Sequence, residues 1–209
     1  MRSQTNNDHI VQKFVVGPLG VNAYVVADPV SKEAFIIDPG AEPEKIKRFL
    51  EKNGLELKFI INTHGHGDHI GANGFFDAPI YIHELDADFL QDASLNLSGA
   101  FGFPLISPAA SRLLKDNDKI KLGNLDIEII HTPGHTPGSV SVKVGGSVFS
   151  GDALFNSSIG RTDLPGSSQR DLLKSIRQRL LVLDDDTAVY PGHGESTTIG
   201  REKKDNPFL

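Results

Sequence analysis

This chain of 209 residues has the composition of one ordinary globular domain, with 38% hydrophobic and 23% charged residues. Its 21 basic and 27 acidic side chains give a net charge of −6, which argues against a nucleic-acid partner, because such binders carry a basic excess. No cysteine is present, so disulfides, thiolate metal sites and cysteine nucleophiles are excluded. Without an apolar signal segment or a stretch of membrane-spanning length, the sequence predicts a cytoplasmic protein that does not enter a membrane.

The first part of the chain predicts strands around one helix. Apolar and β-branched runs indicate strands at Ile10–Val16, Val21–Ala27, Ala34–Ile37 and Leu57–Ile61. Gly17-Pro18-Leu19-Gly20 separates the first two runs and predicts a hairpin turn. A helix is expected to begin at Pro43 and to end before Gly54.

The middle of the chain is less regular. A short strand is predicted at Ala78–Ile82 and a helix at Glu84–Gln91. The segment Asp92–Arg112 is rich in Gly, Pro, Ser and Ala, yet it carries the apolar residues Leu95, Phe101, Phe103, Leu105 and Ile106. It is therefore either a loop folded over a cleft or a surface loop pinned by a few hydrophobic contacts.

The last part repeats the pattern of strands followed by a helix. Strands are predicted at Leu125–Ile130, Val140–Val144, Ser147–Ser150 and Thr187–Tyr190. Gly145-Gly146 predicts a two-residue hairpin turn, and Ser168 with Asp171 predicts a capped helix start. The buried face of that helix is expected to carry Leu172, Leu173, Ile176 and Leu180. Two strand-rich halves that each end in a helix predict a layered α/β fold, and no composition break divides residues 1–209 into separate domains.

A cluster of histidines follows the strand Leu57–Ile61. The string Thr63-His64-Gly65-His66-Gly67-Asp68-His69 places three imidazoles and a carboxylate within a few residues. These nitrogen and oxygen donors suit a divalent transition metal, and the glycines allow neighbouring side chains to converge. The alternative is a turn whose histidines only cap strands, but four candidate ligands at this spacing favour the metal site.

Three more candidate ligands follow other predicted strands. They are His135, Asp152 and His193. Residues at one edge of a sheet meet in space although they are far apart in sequence. Seven ligands exceed the needs of one tetrahedral ion and suit two ions bridged by a carboxylate and a water.

The strings THGHGDHIGAN, TPGHTPGS, GDALF and PGHGEST resemble, in order, the successive motifs of the metallo-β-lactamase superfamily. This resemblance implies an αββα sandwich of two mixed β-sheets flanked by helices, with two divalent metals at the edge between the sheets. It assigns His64, His66 and His135 to the first metal, Asp68, His69 and His193 to the second, and Asp152 to a bridge between them. We expect Zn²⁺, although iron or manganese accepts the same ligands.

The string Gly160-Arg161-Thr162-Asp163-Leu164-Pro165-Gly166 and the tail NPFL are similar to single-domain glyoxalase II-like (hydroxyacylglutathione hydrolase-like) enzymes. That similarity implies hydrolysis of a thioester such as S-lactoylglutathione, by attack of a hydroxide formed on the metals and oriented by Asp68 and Asp152. Arg161 is then a candidate to bind the substrate's carboxylates, or else a structural partner of Asp163. The partner implied is a small thioester, glutathione-derived in the simplest case.

Related branches leave alternatives open. Similar strings occur in persulfide dioxygenases, in which one iron would be held by His64, His135 and Asp152. The chain continues only from Gly194 to Leu209 after the last motif, whereas long glyoxalase II enzymes carry a helical domain there that contacts glutathione. A broader ester or thioester substrate is therefore the other alternative. The absence of cysteine and of a signal segment disfavours the β-lactam-cleaving branch.

Some polar residues near these motifs have simpler interpretations. His83 follows a predicted strand and is interpreted as a strand-end residue, and His131 has no metal role in the resemblance. Asp38 either supports the ligand loops through hydrogen bonds or caps a turn.

Overall fold

Two six-stranded β-sheets pack face to face in this protein. The computed structural model describes residues 9–102 and 104–209. Residues 1–8 lie outside the described residues. So do Phe103 and the side chain of Phe101, which belong to the segment Asp92–Arg112.

The first sheet contains strands from the first half of the chain, arranged side by side in sequence order. They are β1 (Ile10–Val16), β2 (Val21–Ala27), β3 (Glu33–Ile37), β4 (Glu56–Ile61), β5 (Ile80–His83) and β6 (Arg112–Leu114). Strands β1 to β3 are antiparallel, as the predicted hairpin requires. Strands β3 to β6 are parallel, because each connection crosses back before the next strand begins.

The second sheet contains strands from the second half, in the order β14-β13-β10-β9-β8-β7. The strands of this half are β7 (Lys119–Leu122), β8 (Leu125–His131), β9 (Val140–Val144), β10 (Ser147–Gly151), β11 (Leu154–Phe155), β12 (Ser158–Ile159), β13 (Ala188–Pro191) and β14 (Thr197–Thr198). Strands β11 and β12 form a separate small hairpin. Strands β10 and β13 are parallel and the other neighbours antiparallel, so both large sheets are mixed.

Four short α-helices accompany the sheets. They are α1 (Pro43–Asn53), α2 (Gly67–Ile70), α3 (Gln169–Ser175) and α4 (Ile199–Asp205). Pro43 opens α1 and Gly54 ends it in the left-handed conformation, as predicted. The Ser168 hydroxyl caps α3 by accepting the Asp171 N–H, and a π-helical turn at Ile176–Leu180 prolongs this helix. No helix in the described ranges is long and apolar enough to cross a membrane.

Side-chain alternation along β2 shows how the layers form. Val25 and Ala27 pack with Ile46 and Leu50 of α1 in one apolar layer. The intervening Val26 belongs to a second layer, which lies between the two sheets. A third layer joins the outer face of the second sheet to α3 and α4, and its members include Val148, Leu172, Ile176, Val189 and Ile199. Three apolar layers require four structural layers, so the predicted αββα sandwich of two mixed sheets is confirmed.

Every strand predicted from the sequence is present, with small shifts at the ends, but several short elements were not predicted. These are β6, β7, β11, β12, β14, α2 and α4. The predicted helix at Glu84–Gln91 is a 3₁₀-helix. Its aspartates are weak α-helix formers, and Asp86 directs its carboxylate inward rather than along the helix surface. Leu173, expected on the buried face of α3, is only half-buried.

The segment after this 3₁₀-helix packs against the histidine motif. Asn96 accepts the Gly67 N–H through its carbonyl, and its side chain donates to the carbonyls of Phe89 and Leu105. Leu105 packs on the first apolar layer, whereas Leu95 and Ile106 are exposed. The segment is thus pinned beside the candidate ligands by both polar and apolar contacts.

His83 ends β5 and stacks on His131, with ring centroids 4.1 Å apart and planes 7° from parallel. Its Nδ1 accepts the Leu85 N–H at 3.3 Å and so caps the 3₁₀-helix. His131 donates from Nε2 to the Pro137 carbonyl at 2.9 Å. Burial and the neighbouring His131 lower the pKa of His83 to about 4.

This histidine stack predicts a pH-dependent stability. An unfolded histidine, with a pKa of about 6.5, takes up a proton as the pH falls to about 5, whereas folded His83 stays neutral over this range. Because only the unfolded state binds this proton, lowering the pH to about 5 should decrease the unfolding free energy of the metal-free protein by about 2 kcal/mol through His83 alone. His83→Asn keeps an acceptor for the Leu85 N–H but does not titrate. Urea unfolding of both proteins across this range should give a shallower pH slope for the variant, and equal slopes would contradict the prediction.

Candidate metal centre

The candidate ligands lie where strands of both sheets end. His64, His66, Asp68 and His69 follow β4, and the second sheet supplies His135 after β8, Asp152 after β10 and His193 after β13. An isolated β-bridge between Val21 and His193 ties the two sheets together at this edge. The structure therefore brings all seven predicted ligands to one place.

His64, His66 and His135 form the first group, and all three side chains are buried. His66 Nδ1 lies 3.0 Å from His135 Nε2, and the His64 ring centroid lies 4.8 Å from each of the other two rings. This grouping is the one that the sequence resemblance implies for the first metal. Coordination of an ion by these residues stays a prediction.

Asp68, His69 and His193 form the second group. Asp68 Oδ2 lies 3.4 Å from His193 Nε2 and 3.7 Å from His69 Nε2. The His69 side chain is fully buried, whereas those of His193 and Asp68 are 28% and 24% exposed. The site therefore opens to solvent on the side of the second group.

Asp152 lies between the two groups. Its Oδ2 is 3.7 Å from His135 Nε2 in the first group and 3.7 Å from His193 Nε2 in the second. Its Oδ1 is 3.5 Å from His69 Nε2. One carboxylate thus faces both groups, which is the position that a bridging ligand would need.

The donor atoms fit a pair of divalent ions. Around a tetrahedral ion with bonds of about 2.1 Å, neighbouring donors lie about 3.4 Å apart, close to the separations of 3.0 to 3.7 Å found here. Among the described residues, the buried polar atoms without a hydrogen bond include His64 Nε2, His69 Nε2 and Asp152 Oδ1. Buried polar atoms are rarely left unsatisfied, so these three indicate a bound partner such as a metal.

In the first group, the pKa values of His64 and His66 are lowered, which keeps these imidazoles neutral. Burial, with the neighbouring imidazoles of His69, His66 and His135, holds the pKa of His64 well below its usual value. Burial and His135 lower the pKa of His66 to about 3. Neutral imidazoles are the form that binds metals, so His64 and His66 need to release no proton before they coordinate an ion.

The second group has the opposite character. Burial alone would lower the pKa of His69, but Asp68, Asp152 and Asp38 outweigh it and raise that pKa to about 10. Burial would raise the pKa of Asp68, yet His69 and His193 hold it well below its usual range. Without a metal this group is an ion-paired cluster, so an ion bound here would replace protons on the histidines.

Asp38 holds the histidine loop in place. Its Oδ1 accepts the Thr63 N–H at 2.7 Å, and its Oδ2 accepts the Thr63 hydroxyl at 2.6 Å and His69 Nδ1–H at 2.9 Å. Both carboxylate oxygens are therefore occupied, and His69 is oriented with Nε2 toward the centre. Of the two interpretations of Asp38 from the sequence, support of the ligand loop is the one that the structure shows.

The loop that carries His193 is held by residues that sequence reasoning missed. Asn22 donates from its side chain to the carbonyls of Pro191 and Gly194, both at 2.9 Å, and from its backbone to Gly192. The Tyr24 hydroxyl donates to the Pro191 carbonyl at 2.7 Å. No motif marks these residues, because their role depends on β2 lying beside β13.

Arg161 lies on the rim of the first group. Its backbone carbonyl accepts His135 Nδ1–H at 2.9 Å, which directs His135 Nε2 toward the centre. Its exposed guanidinium forms two hydrogen bonds with the Asp163 carboxylate, at 2.8 and 2.9 Å. The pairing with Asp163 considered from the sequence is present, and binding of a substrate by Arg161 stays a prediction.

Comparison with known proteins identifies the family. The model of the metallo-β-lactamase superfamily matches residues 16–193, which contain every candidate ligand. This chain belongs to the metallo-β-lactamase superfamily. Members of the superfamily bind divalent metals, and among the described residues the group of three histidines and the group of Asp68, His69 and His193 could hold such ions.

Two relatives within the superfamily are similar over most of their length. "Probable metallo-hydrolase YqgX" of Bacillus subtilis is 41% identical over 95% of this chain and 96% of its own. "Hydroxyacylglutathione hydrolase GloC" of Haemophilus influenzae is 40% identical over 85% of this chain and 88% of its own. An activity of the metallo-hydrolase type is therefore supported at the level of the superfamily.

Solved structures of superfamily proteins share the fold closely. The BLEG-1 B3 metallo-β-lactamase has a TM-score of 0.91 and 40% identity, covering 96% of this chain and 99% of its own. TTHA1623, crystallised in a di-iron-bound form, has a TM-score of 0.83 and 39% identity, covering 95% and 100%. ETHE1 from Myxococcus xanthus has a TM-score of 0.79 and 28% identity, covering 95% and 83%.

Close packing at Gly192 predicts a sensitive position. A Cβ on Gly192 would contact Asp152 Oδ1 and lie 2.9 Å from His69 Cε1, whereas a Cβ on Gly146 would meet nothing within 4 Å. Neither glycine has a positive φ, so the two substitutions differ in contact rather than in backbone strain. Gly192→Ala should therefore lower metal content per chain after dialysis at least several-fold, measured by elemental analysis, while Gly146→Ala retains it. Equal metal content in the two variants would contradict the assignment of Asp152 and His69 to the site.

Proposed function

We propose that this protein is a dinuclear-metal hydrolase that cleaves a thioester such as S-lactoylglutathione. The observation that carries the proposal is Asp152, whose two oxygens face both donor groups across 3.5 to 3.7 Å. Such an arrangement favours two ions sharing one carboxylate over a single closed structural site. We expect Zn²⁺, and iron or manganese would accept the same donors.

Bound divalent ions supply Lewis acidity, which makes water nucleophilic near neutral pH and polarises a carbonyl oxygen. The chain's part is to orient the reactants. Asp68 and Asp152 line the centre and are the carboxylates that would orient the attacking water. His69 and His64, locked by Asp38 and Thr63, keep the surrounding wall fixed and buried.

In this proposal the histidines of the centre hold metal ions, so among the described residues of the site they are not available to protonate a leaving group, and thioester cleavage suits such a site. The bond that breaks is C–S, and the thiol it releases has a pKa near 8.5, so the thiolate leaves without a dedicated general acid. An amide, whose leaving group is far more basic, would need one. The similarity to the hydroxyacylglutathione hydrolase GloC supports this substrate class.

Arg161 is our candidate for binding the carboxylates of a glutathione-derived substrate. Its guanidinium is exposed, and among the described residues its partner is Asp163, in a surface ion pair that solvent screens. A substrate carboxylate can take the place of Asp163 at little cost, because the forked guanidinium binds either carboxylate in the same way.

Two other activities have a specific observation in their favour. A mononuclear iron persulfide dioxygenase would use His64, His135 and Asp152, and the di-iron form of TTHA1623 supports iron as a metal for this type of site. Cleavage of a β-lactam is supported by the similarity to BLEG-1. The identity and number of bound metal ions, the consumption of oxygen and the substrates that are turned over distinguish these activities from thioester hydrolysis.

The central test combines metal analysis with a substrate panel. We expect about two zinc-like ions per chain, and hydrolysis of S-lactoylglutathione without oxygen uptake. Thiol release would be followed with a thiol reagent, beside an oxygen electrode and a panel of esters, a β-lactam and glutathione persulfide. One iron per chain with oxygen consumption on the persulfide would overturn the proposal, as would turnover of the β-lactam alone.

Asp152→Ala tests whether hydrolysis depends on the carboxylate that we place between the two ions. Removal of this carboxylate should abolish both hydrolysis and retention of the second ion, and the folded state can be confirmed by circular dichroism. Full activity in this variant would refute the bridging role.

Arg161→Gln tests recognition of the substrate's charge. Loss of a charge-assisted hydrogen bond should raise KM for S-lactoylglutathione about tenfold or more. The KM for an uncharged thioester of similar acyl group should not change, because Arg161 contacts no reacting atom. Asp163→Asn is the matched control, because it frees the guanidinium and should lower KM for the anionic substrate. An equal effect of Arg161→Gln on both substrates would refute the role.

A further inference from the structure

Asp86 is a fully buried aspartate that the proposed chemistry does not use. It lies on the 3₁₀-helix Glu84–Gln91, and none of its surface is exposed to solvent. An ionised carboxylate is rarely buried unless hydrogen bonds compensate for the lost hydration. Its bonding partners therefore indicate why it is there.

The carboxylate of Asp86 accepts three hydrogen bonds from two loops. Oδ2 accepts the Gly65 N–H at 3.0 Å and the Thr136 hydroxyl at 2.7 Å. Oδ1 accepts the Gly138 N–H at 2.6 Å. Both oxygens are thus used, and the donors come from chain segments that are more than 70 positions apart in sequence.

These donors stand directly beside the first group of histidines. Gly65 lies between His64 and His66, and Thr136 follows His135. The three histidines come from different sheets, and their nitrogens must keep a fixed separation to bind one ion. The Asp86 carboxylate is the described group that is hydrogen-bonded to both loops at once.

The space around these contacts leaves no room for adjustment. A Cβ on Gly138 would lie 2.7 Å from Asp86 Cγ, and a Cβ on Gly65 would collide with the ring and Cβ of Phe89 on the same 3₁₀-helix. At these two glycines each loop therefore brings its backbone close to the helix, and the Thr136 hydroxyl adds a side-chain contact from the second loop. A glycine at each position is what allows the carboxylate to reach the amides.

We propose that Asp86 is the positioning residue of the first group, setting the separation of His64 and His66 from His135. The proposal rests on the metal site in the proposed function and adds a residue that is not a ligand. Asp38 has the corresponding role for His69, but it contacts neither the His135 loop nor Gly65 in the hydrogen bonds described above.

Asp86→Asn is the informative variant, because it preserves size and replaces one acceptor oxygen by an NH₂ group. That group must face at least one N–H or O–H donor, so one contact becomes repulsive. Asp28→Asn is the matched control. Asp28 is equally buried and accepts three hydrogen bonds, from Val30 N–H and from the backbone and side chain of Asn124, in turns that contain no candidate ligand.

The first readout is binding of Co²⁺ to metal-free, folded protein, followed by its visible d–d absorption. We expect Asp86→Asn to weaken Co²⁺ affinity 10- to 100-fold and to shift the absorption band, as changes to groups that orient metal ligands do. Asp28→Asn should leave affinity and band unchanged, even if it lowers thermal stability by a similar amount. A wild-type spectrum and affinity in Asp86→Asn, or equal losses in both variants, would overturn the proposal.

The second readout needs no metal. Amide hydrogen exchange in the metal-free protein should be about tenfold faster at Gly65 and Gly138 in Asp86→Asn, and unchanged there in Asp28→Asn. If the wild-type protein binds no Co²⁺, the proposed metal-dependent function fails, whereas the positioning role is still decided by these two exchange rates. If Asp86→Asn does not fold, Thr136→Val is the second variant, because it removes one of the three hydrogen bonds to the Asp86 carboxylate. It should produce the same changes in exchange and in Co²⁺ binding, but smaller ones. Unchanged exchange and Co²⁺ binding in Thr136→Val would refute the positioning role.

Discussion

The geometry of this site depends on buried carboxylates that accept hydrogen bonds from the loops carrying the histidines. Asp38 and Asp86 each lose almost all contact with water and each gain three donors in return. A carboxylate deprived of hydration is costly, and the cost is recovered only if every donor stays in place. The loops therefore cannot drift without exposing an unsatisfied charge, which is a stronger constraint on imidazole positions than apolar packing provides.

The sandwich architecture determines which loops these carboxylates can join. The layer between the sheets holds the strands back to back, so loops from β4, β8, β10 and β13 emerge at one common edge. At that edge the backbones come very close, and glycine occupies the points of contact: Gly192 beside Asp152, and Gly138 beside Asp86. The apolar core thus brings the loops to the same edge, and the polar contacts set the final separations of the donor atoms.

Much of this arrangement is predictable from the sequence, for identifiable reasons. The alternation of apolar residues in β8 and β9 and the Gly145-Gly146 turn encode local structure directly. The spacing of His64, His66, Asp68 and His69 indicates the metal site without reference to the rest of the chain. Asp86 and Asn22 have no such signal, because each acts on a loop that is distant in sequence. The short strands β11, β12 and β14 were missed for the same reason, since two residues have no periodicity and pair only because the surrounding structure brings them together.

The two donor groups differ in a way that suits them to different parts in the proposed reaction. The first is buried, His64 and His66 have lowered pKa values, and Asp86 and the Arg161 carbonyl are hydrogen-bonded to its loops, so it would suit an ion that stays in place through turnover. The second group contains Asp68, is partly exposed at His193 and Asp68, and opens to solvent, which is the side from which a substrate would reach the centre in the proposed function. Arg161 accepts a hydrogen bond from His135 through its backbone carbonyl and exposes its guanidinium to solvent. A substrate carboxylate bound by that guanidinium would therefore be only one residue away from His135 of the first group. In the proposed function, recognition of the substrate's charge and placement of the reacting carbonyl would thereby be linked through one short segment of backbone.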